Sequence, residues 1–587
     1  MDTVWFDSDD PAGEGWHVRL DGLRASYRAT RVDEVEGVLS QADGAVRDGR
    51  WAAVAVAYEA APAFDPAMRV VRRSVADPPL AWVGIYDRGH QERSESPRRA
   101  GRSDRAATFA SSVGVYEFSA RVRDAQEHIL AGDTYQVNLT FPMCAAGVTN
   151  PDEWYQDLRD AQQARYCARL DVGSHLILSL SPELFFERRG ERLITRPMKG
   201  TAARGRWLAE DEEQARALVA SGKERAENVM IADLLRNDIG RVARAGTVRV
   251  PELFRLERYP TVWQMTSTVE GQVPAGIPLA TLFKALFPCG SVTGAPKIRS
   301  MEIVAALEQR PRGLYTGAVG YVRPGGDCIF NVAIRTIVID RETGAATMGV
   351  GAGITADSAP RHEYEECLVK AAFTNRKREA SPSSFLLLET MRLEDGGVTH
   401  LDRHLARMAG SARHFGFAWN DSSVRYAVEN ARTSHGNGCW RLRLVVDQHG
   451  VPDVTCTPHE PGESRPWRVA YAESPIDDHD QFLFNKTTHR AVYDAARNAR
   501  PNVDDVLLWN RRGDVTESTI ANLVAELDGV RVTPPADCGL LPGVCRAAMI
   551  DAGGLTERVL SRDDLARASR LWLINSLRGW VEATLVP

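Results

Sequence analysis

The chain is 587 residues long, 44% hydrophobic and 26% charged, the proportions of an ordinary globular protein with room for several domains. A net charge of −6 offers no polycationic surface for nucleic acid. The nine cysteines form no CxxC pair and no regular spacing, so they read as reduced thiols rather than a disulfide frame or a zinc site.

The opening MDTVWFDSDDPAGEGW is acidic and lacks the apolar core of a secretory signal. The longest apolar stretch, near Trp51 to Tyr58, falls far short of the ~20 residues that span a bilayer. The expected setting is the cytoplasm, with no membrane partner. Residues 88–112 are polar, rich in Arg and Ser and without period, which predicts an exposed loop. HLILSL (175–180) predicts a buried strand. In 224–243, Val229, Ala232, Leu235 and Ile239 recur every three or four residues, the spacing of a helix face. NVAIRTIVID (331–340) alternates and predicts one strand. RKREASPSS (376–384) passes from charge to Ser and Pro, as linkers do. Beyond it SFLLLETMRL predicts a strand, and LDRHLARMAGSARHFGF a helix with Leu401, Leu405, Met408 and Ala412 on one face. WRLRLVVD predicts a strand, and TIANLVAELDGVRVTPP a strand pair turning at Asp528-Gly529. Interleaved helices and strands predict α+β or α/β architecture in both parts. The expected division is 1–378, a linker at 379–384, and 385–587.

Four glutamates form two matched pairs, Glu224 with Glu227 and Glu363 with Glu366, each three residues apart and so on one helix face. Each pair is either a solvated face or half of an oxygen-rich site suited to Mg²⁺. GSVTGAPK (290–297) is not a phosphate-binding P-loop, because its spacing and its end are wrong. It and GVGAGI (349–354), a glycine loop following a strand, are tight turns or anion-binding backbone. Lys199, between Pro197 and Gly200, is a surface charge unless burial neutralises it; only then does it have a lone pair to react with.

In order along the chain come GDTYQVNLT (132–140), SPELF (181–185), RPMKGTAARG (196–205), ERAENVMIADLLRNDIGRV (224–242), LFPCGSVTGAPKIRSMEI (286–303), RGLYTGAVGYV (312–322), FNVAIRT (330–336) and GVGAGITADSAPRHEYEE (349–366). Together they resemble the chorismate-utilising enzymes over about 115–378, and AYEAAPAFDP (57–66) extends the likeness toward the N-terminus. The resemblance implies an α+β fold of antiparallel sheets with outer helices. It implies Glu183 as a general acid, Lys199 as the nucleophile, and Mg²⁺ held mainly by Glu227 and Glu366, with Glu224 and Glu363 acting directly or through water. It makes Thr293, Tyr315, Arg335, Lys370 and the amides of Gly351 and Gly353 contacts for chorismate. Gln136 resembles the ammonia-using branches, since the isochorismate and salicylate branches carry a water-activating lysine there. Lys199 resembles the aminodeoxychorismate-forming branch, since the anthranilate-forming branch usually carries Ala. Gln264 in WQMTST departs from the family, which usually has His, so no acid–base role is carried over to it. No glutaminase segment is recognisable, so ammonia is expected from solution or from a separate glutamine amidotransferase.

Lys486, Glu517 and Arg407 each read alone as a surface or cap charge. Within LLETMR (387–392), HLDRHLARM (400–408), NKTTHRAVYDAAR (485–497), GDVTESTIAN (513–522), TPPADCGLLPGVCR (533–546) and INSLRGW (574–580), they resemble the fold-type IV pyridoxal-phosphate enzymes over about 385–587. That implies an α/β domain with Lys486 bound to pyridoxal 5'-phosphate, Arg407 on its phosphate and Glu517 on its pyridine nitrogen. Val544, Cys545 and Ser576 become further phosphate contacts, and a homodimer through this domain is expected. Behind a chorismate-aminating part, the domain implies a lyase that releases pyruvate to leave 4-aminobenzoate. The rival is an anthranilate-type enzyme fused to an aminotransferase or to a non-catalytic dimerisation module.

Overall fold

The computed structural model describes the chain apart from residues 1–2, 9–14, 75–76, 94–106, 163, 260–261, 375–384 and 461–464. The linker expected at 379–384 lies outside the described residues, as does most of the loop expected at 88–112. The described start of that loop is strand: Ala81–Arg93 pairs with Trp16–Ala29, which sets Arg88 opposite Asp21. Opposite charges across a strand pair stabilise such an edge, so a polar run need not be a loop.

Two compact units emerge, Met1–Ala203 with Ala215–Glu379, and Arg204–Gln214 with Ala380–Pro587. In the first, eighteen strands join in one hydrogen-bonded network, paired antiparallel. The helices Val35–Arg47, Gly222–Gly240 and Leu279–Leu286 share one apolar core with the strands Trp51–Val56 and Cys328–Val332. Val115–Leu130 and Pro360–Ala371 share another with Gln136–Ala145 and Ala346–Ile354. HLILSL forms the wholly buried strand His175–Ser181.

Three sequence expectations change here. Gly222–Gly240 turns Asn228, Ile231, Ala232, Leu235 and Ile239 inward, whereas Val229 is 44% exposed. Val229 lies about 100° round the helix from Asn228, which carries it off the buried face. NVAIRTIVID is two strands, Cys328–Val332 and Thr336–Asp340, with different partners. Arg335, at φ 48°, stands just before the second and breaks the extended run. GVGAGI is itself strand, the end of Ala346–Ile354 paired with Gln136–Ala145.

The second unit has a four-stranded antiparallel sheet covered by the helices Leu401–Phe415 and Asp421–Ser434. Leu405, Met408 and Ala412 are buried as the spacing predicts. Its other sheet closes on itself: Val515–Ser518, Asp505–Trp509, Trp467–Tyr471, Gly579–Leu585, Arg570–Asn575 and Asn522–Leu527 form a ring. Two of the ring's six pairings are parallel, and the helix Ala491–Ala499 lies in the connection between the parallel strands Trp467–Tyr471 and Asp505–Trp509, a feature of α/β domains. Asp528 and Gly529 both have positive φ, the two-residue hairpin signature. Arg204–Gln214 belongs to this unit through Trp207, whose ring lies 4.9 Å from that of Phe484, and through Arg206, which donates to the carbonyls of Asp478 and Asp537. Among the described residues no helix is long and apolar enough to cross a membrane.

Candidate active sites

The strand Met198–Ala203 carries Lys199 beside Val262–Gln272. Asn228 Nδ2 donates to the Lys199 carbonyl at 3.0 Å, which ties this strand to the glutamate helix. Gly200 has φ 98°, and a side chain there would press on Glu224 and Met265. Gln264 donates to the Gly200 carbonyl at 2.9 Å and accepts from Thr201 at 3.0 Å. Its amide is thus engaged in holding the strand.

Lys199 Nζ lies 3.6 Å from Glu227 Oε2 with 18% of its side chain exposed. Burial pushes its ammonium below the ordinary value, helped by Lys370 and opposed by Glu227 and Glu183. Ser221 caps the helix Gly222–Gly240 by accepting from the Glu224 N–H at 3.3 Å, so Glu224 and Glu227 fall in its first turns. Burial, then the negative charge of Glu227, raises the Glu224 carboxyl; Glu366 adds to it. From the helix Pro360–Ala371, Glu366 pairs with Lys370 at 2.7 Å. Burial would raise Glu366, but Lys370 holds it below its usual range. Glu363 makes no side-chain ion pair or hydrogen bond among the described residues.

Lys370 Nζ also donates to the Gly351 carbonyl at 3.1 Å. In an antiparallel strand a residue's N–H and C=O point to the same edge, so the Gly351 amide faces the side of Lys370. A side chain at Gly353 would stand 2.9 Å from Lys199 Nζ and collide with the Gln136 amide. Gln136 is 1% exposed, and its Oε1 is buried without a hydrogen-bond partner among the described residues.

Three carboxylates, two ammoniums and a strand edge therefore converge. The carboxylates do not close into a cage. Among the described residues the grouping of ligand atoms within 4.8 Å of one another is Asp477, Asp478 and His479, not the four glutamates. Glu227 and Glu366 each face a lysine instead. An all-oxygen donor set whose like charges raise Glu224 nevertheless has the chemistry that suits Mg²⁺.

Glu183 is 4% exposed and accepts from Ser291 Oγ at 2.6 Å. Burial pushes its carboxyl up to about 7, against the pull of Ser291 and Lys199. The Thr293 hydroxyl lies within hydrogen-bond reach of the carbonyls of Cys289 and Gly290, at 3.3 and 3.2 Å, so its hydrogen serves the turn that carries Ser291 while its oxygen can still accept. The Tyr315 ring fills the space a side chain at Gly349 would take, and burial raises its phenol well above the usual range. Arg335 makes no hydrogen bond or ion pair with the Lys199 cluster among the described residues. It donates to Gln162 Oε1 at 2.8 Å, burial lowers its guanidinium, and no acid among the described residues pairs with it.

In the second unit a cavity of about 370 Å³ is lined by Arg407, Lys486, Glu517, Val544, Cys545 and Ser576, so all the expected cofactor residues meet there. Burial lowers Lys486 to about 8, helped by the positive charge of Arg407. Glu517 accepts from Tyr493 at 2.8 Å, from the Leu541 N–H at 2.9 Å and from Asn522 at 3.1 Å, yet burial still raises it to about 7. Glu389 holds Arg407 by two hydrogen bonds, at 2.8 and 2.7 Å, and takes a third from His404 at 2.7 Å. Burial would raise Glu389, but Arg407 and His404 bring it down to about 2. Gly543 begins the helix Val544–Asp551 without a side-chain cap, so its first amides have no cap partner. A phosphate suits those amides and Arg407, and a ring N–H suits Glu517; the residues fit pyridoxal 5'-phosphate.

Several contributors were missed in the sequence. Ser291 stands in a string read as a small-residue loop and as part of the family resemblance, with no role of its own. Glu389 was carried in LLETMR without a role, though alternation places it inward at 0% exposure. Tyr493 and Asn522 reach Glu517 from elements that no local pattern joins to it.

Residues 3–376 match the family described as chorismate binding enzyme, and residues 386–586 the family described as amino-transferase class IV. Aminodeoxychorismate synthase component 1 of Bacillus subtilis (strain 168) is 41% identical over 280 residues, 48% of this chain and 59% of that protein. The protein of that name from Escherichia coli (strain K12) is 37% identical over 337 residues, 53% of this chain and 73% of that protein. The chain thus spans 59% of the Bacillus relative's length. Anthranilate synthase component I from Streptococcus pneumoniae TIGR4 shares the fold, with a TM-score of 0.54 at 24% identity over 62% of this chain and 92% of that one. Both resemblances drawn from the sequence strings are borne out. The chain belongs to the chorismate binding enzymes and carries an amino-transferase class IV region behind that part.

Proposed function

We propose that the chain makes 4-aminobenzoate from chorismate in two steps, one in each unit, with the division falling between 378 and 385. The observation that carries this reading is Lys199, a largely buried amine with a lowered pKa, 3.6 Å from Glu227 and within electrostatic reach of Glu183.

In the first step the neutral Lys199 Nζ adds at C2 of chorismate while the C4 hydroxyl leaves as water, taking its proton from Glu183. Hydroxide is a poor leaving group, and an acid titrating near 7 is matched to that task. Ammonia then adds at C4 and Lys199 is expelled from C2, giving 4-amino-4-deoxychorismate. Glu227 and Glu366, with Glu224 and Glu363, would hold Mg²⁺, which would supply positive charge for the ring carboxylate. Arg335, Lys370 and the Gly351 and Gly353 amides take the substrate's carboxylates, and Gln136 faces the incoming ammonia. Tyr315 packs beside the ring. Ammonia comes from a glutamine amidotransferase partner, as the name component 1 of the relatives supports.

In the second step pyridoxal 5'-phosphate supplies an electron sink. Lys486 takes the proton from C4, the C3–O bond breaks, and enolpyruvate leaves and picks up a proton to become pyruvate. Glu517 holds the ring nitrogen; Arg407, Ser576 and the amides of Val544 and Cys545 hold the phosphate. Arg441, Arg443 and Arg578 line the same cavity with no acidic partner among the described residues, which favours a substrate with two carboxylates. The test is chorismate with Mg²⁺, ammonium and pyridoxal 5'-phosphate, with products separated by chromatography. Equal amounts of 4-aminobenzoate and pyruvate support the reading; anthranilate contradicts it.

A further inference from the structure

Ser291 stands on the turn Gly290–Val292 and donates to Glu183 Oε1 at 2.6 Å. Ser291 is 9% exposed and Glu183 4%, so solvent does not compete at either end. The direction of this bond decides where an acid proton can sit. For Glu183 to donate to Ser291 instead, the hydroxyl hydrogen would need another acceptor. Among the described residues the other hydrogen-bond neighbour of the hydroxyl is the Cys289 sulfur, 3.2 Å from Ser291 Oγ, and a thiol sulfur is a weak acceptor. With Ser291 donating, Oε1 is occupied and the proton of the acid is left to Oε2.

We propose that Ser291 is a positioning residue of the first site, orienting the Glu183 carboxyl and assigning its transferable proton to Oε2. The proposal rests on the reading of Glu183 as the general acid and adds to it a residue that sets the acid's geometry and strength. The groups facing Glu183 are the Lys199 ammonium and the Met198 N–H from the strand Met198–Ala203, Cys289 and Ser291 from the turn, and Tyr315 from the loop before Ala318–Val322. Burial keeps Cys289 and Tyr315 neutral, so the charged neighbour is Lys199. Lys199, the Met198 N–H and the Ser291 hydroxyl all favour the carboxylate and offset the burial that raises it. Removing the Ser291 donor leaves burial less opposed, so the Glu183 pKa rises. The protonated form is the active one, so the alkaline limb of the reaction moves to higher pH, while loss of orientation lowers the plateau.

The experiment measures aminodeoxychorismate formation from chorismate and Mg²⁺ against pH in the full chain, at constant free-ammonia concentration so that ammonia's own titration drops out. Ser291→Ala is expected to move the alkaline limb up by about 0.5–1 pH unit, the size of one lost hydrogen bond, and to lower the plateau about tenfold. Ser291→Thr, which keeps the hydroxyl, is expected to restore the limb. A folded, active Ser291→Ala with an unmoved limb overturns the proposal. Should Ser291→Ala not fold, Ser291→Cys, a weaker donor of similar size, replaces it: a smaller shift of the same sign supports the proposal and no shift overturns it. Glu183→Gln separates the two levels. Retained turnover in it overturns the general-acid reading itself; lost turnover beside an unmoved Ser291→Ala limb overturns the role of Ser291 alone.

Discussion

The ammonium of Lys199 lies 3.6 Å from the carboxylate of Glu227, and Glu227 shares a helix face with Glu224, whose own carboxyl it helps to raise. One lysine thus sits between a cluster of carboxylates and the isolated acid Glu183. In the proposed mechanism, drawing Glu227 toward a divalent cation would remove a partner that favours the charged form of Lys199, and the neutral amine is the form that would attack.

Lys199→Ala is expected to lower aminodeoxychorismate formation by on the order of 10³-fold or more, as removal of a nucleophile does. Pyruvate release from supplied aminodeoxychorismate should be unchanged, because that chemistry is placed in the other unit. Near-normal synthase turnover in the variant removes Lys199 from the mechanism.

Glu227→Gln and Glu366→Gln should each lower Mg²⁺-dependent turnover by on the order of 10²–10³-fold, since each replaces a charged oxygen ligand of a hard cation. The concentration of Mg²⁺ needed for half-maximal rate should rise in both. An unchanged Mg²⁺ dependence would show that the glutamates serve another purpose.

The paired glutamates were legible because three-residue spacing is a local property of a helix, and Gly222–Gly240 and Pro360–Ala371 both formed as helices. That Glu366 of one pair comes within electrostatic reach of Glu224 of the other left no local trace. Contacts that join distant segments left no local trace: Ser291 reaches Glu183 across 108 residues, and Asn228 reaches Lys199 across 29. The single strand read at 331–340 failed because alternation continues through Arg335, and one left-handed residue does not disturb a period of two.

Glu389→Gln should destabilise the second unit by about 3–5 kcal/mol, since it leaves the Arg407 guanidinium buried without its partner. Glu389 is held down to about 2, below its ordinary 4.5. A depressed carboxylate contributes stability above its unfolded pKa and loses it as pH falls toward the folded one. The gap in thermal unfolding between wild type and variant should therefore narrow between about pH 4.5 and 2. A gap that stays constant through that window contradicts the assignment.

Lys486, lowered to about 8, presents an appreciable fraction of free amine near neutral pH. Capture of pyridoxal 5'-phosphate by the cofactor-free chain should quicken with pH and level off above about 8. Borohydride should fix the cofactor to the peptide that contains Lys486, and Lys486→Ala should show no fixed cofactor. Fixation at another lysine would displace Lys486 from the site.

The most direct test feeds chorismate, Mg²⁺, ammonium at alkaline pH and pyridoxal 5'-phosphate to wild type, Lys199→Ala and Lys486→Ala, and follows all products by chromatography. Wild type should yield 4-aminobenzoate and pyruvate in equal amounts, Lys486→Ala should stop at aminodeoxychorismate, and Lys199→Ala should leave chorismate unconsumed. Anthranilate from wild type, or a wild type that stops at aminodeoxychorismate with the cofactor bound, would contradict the two-step account.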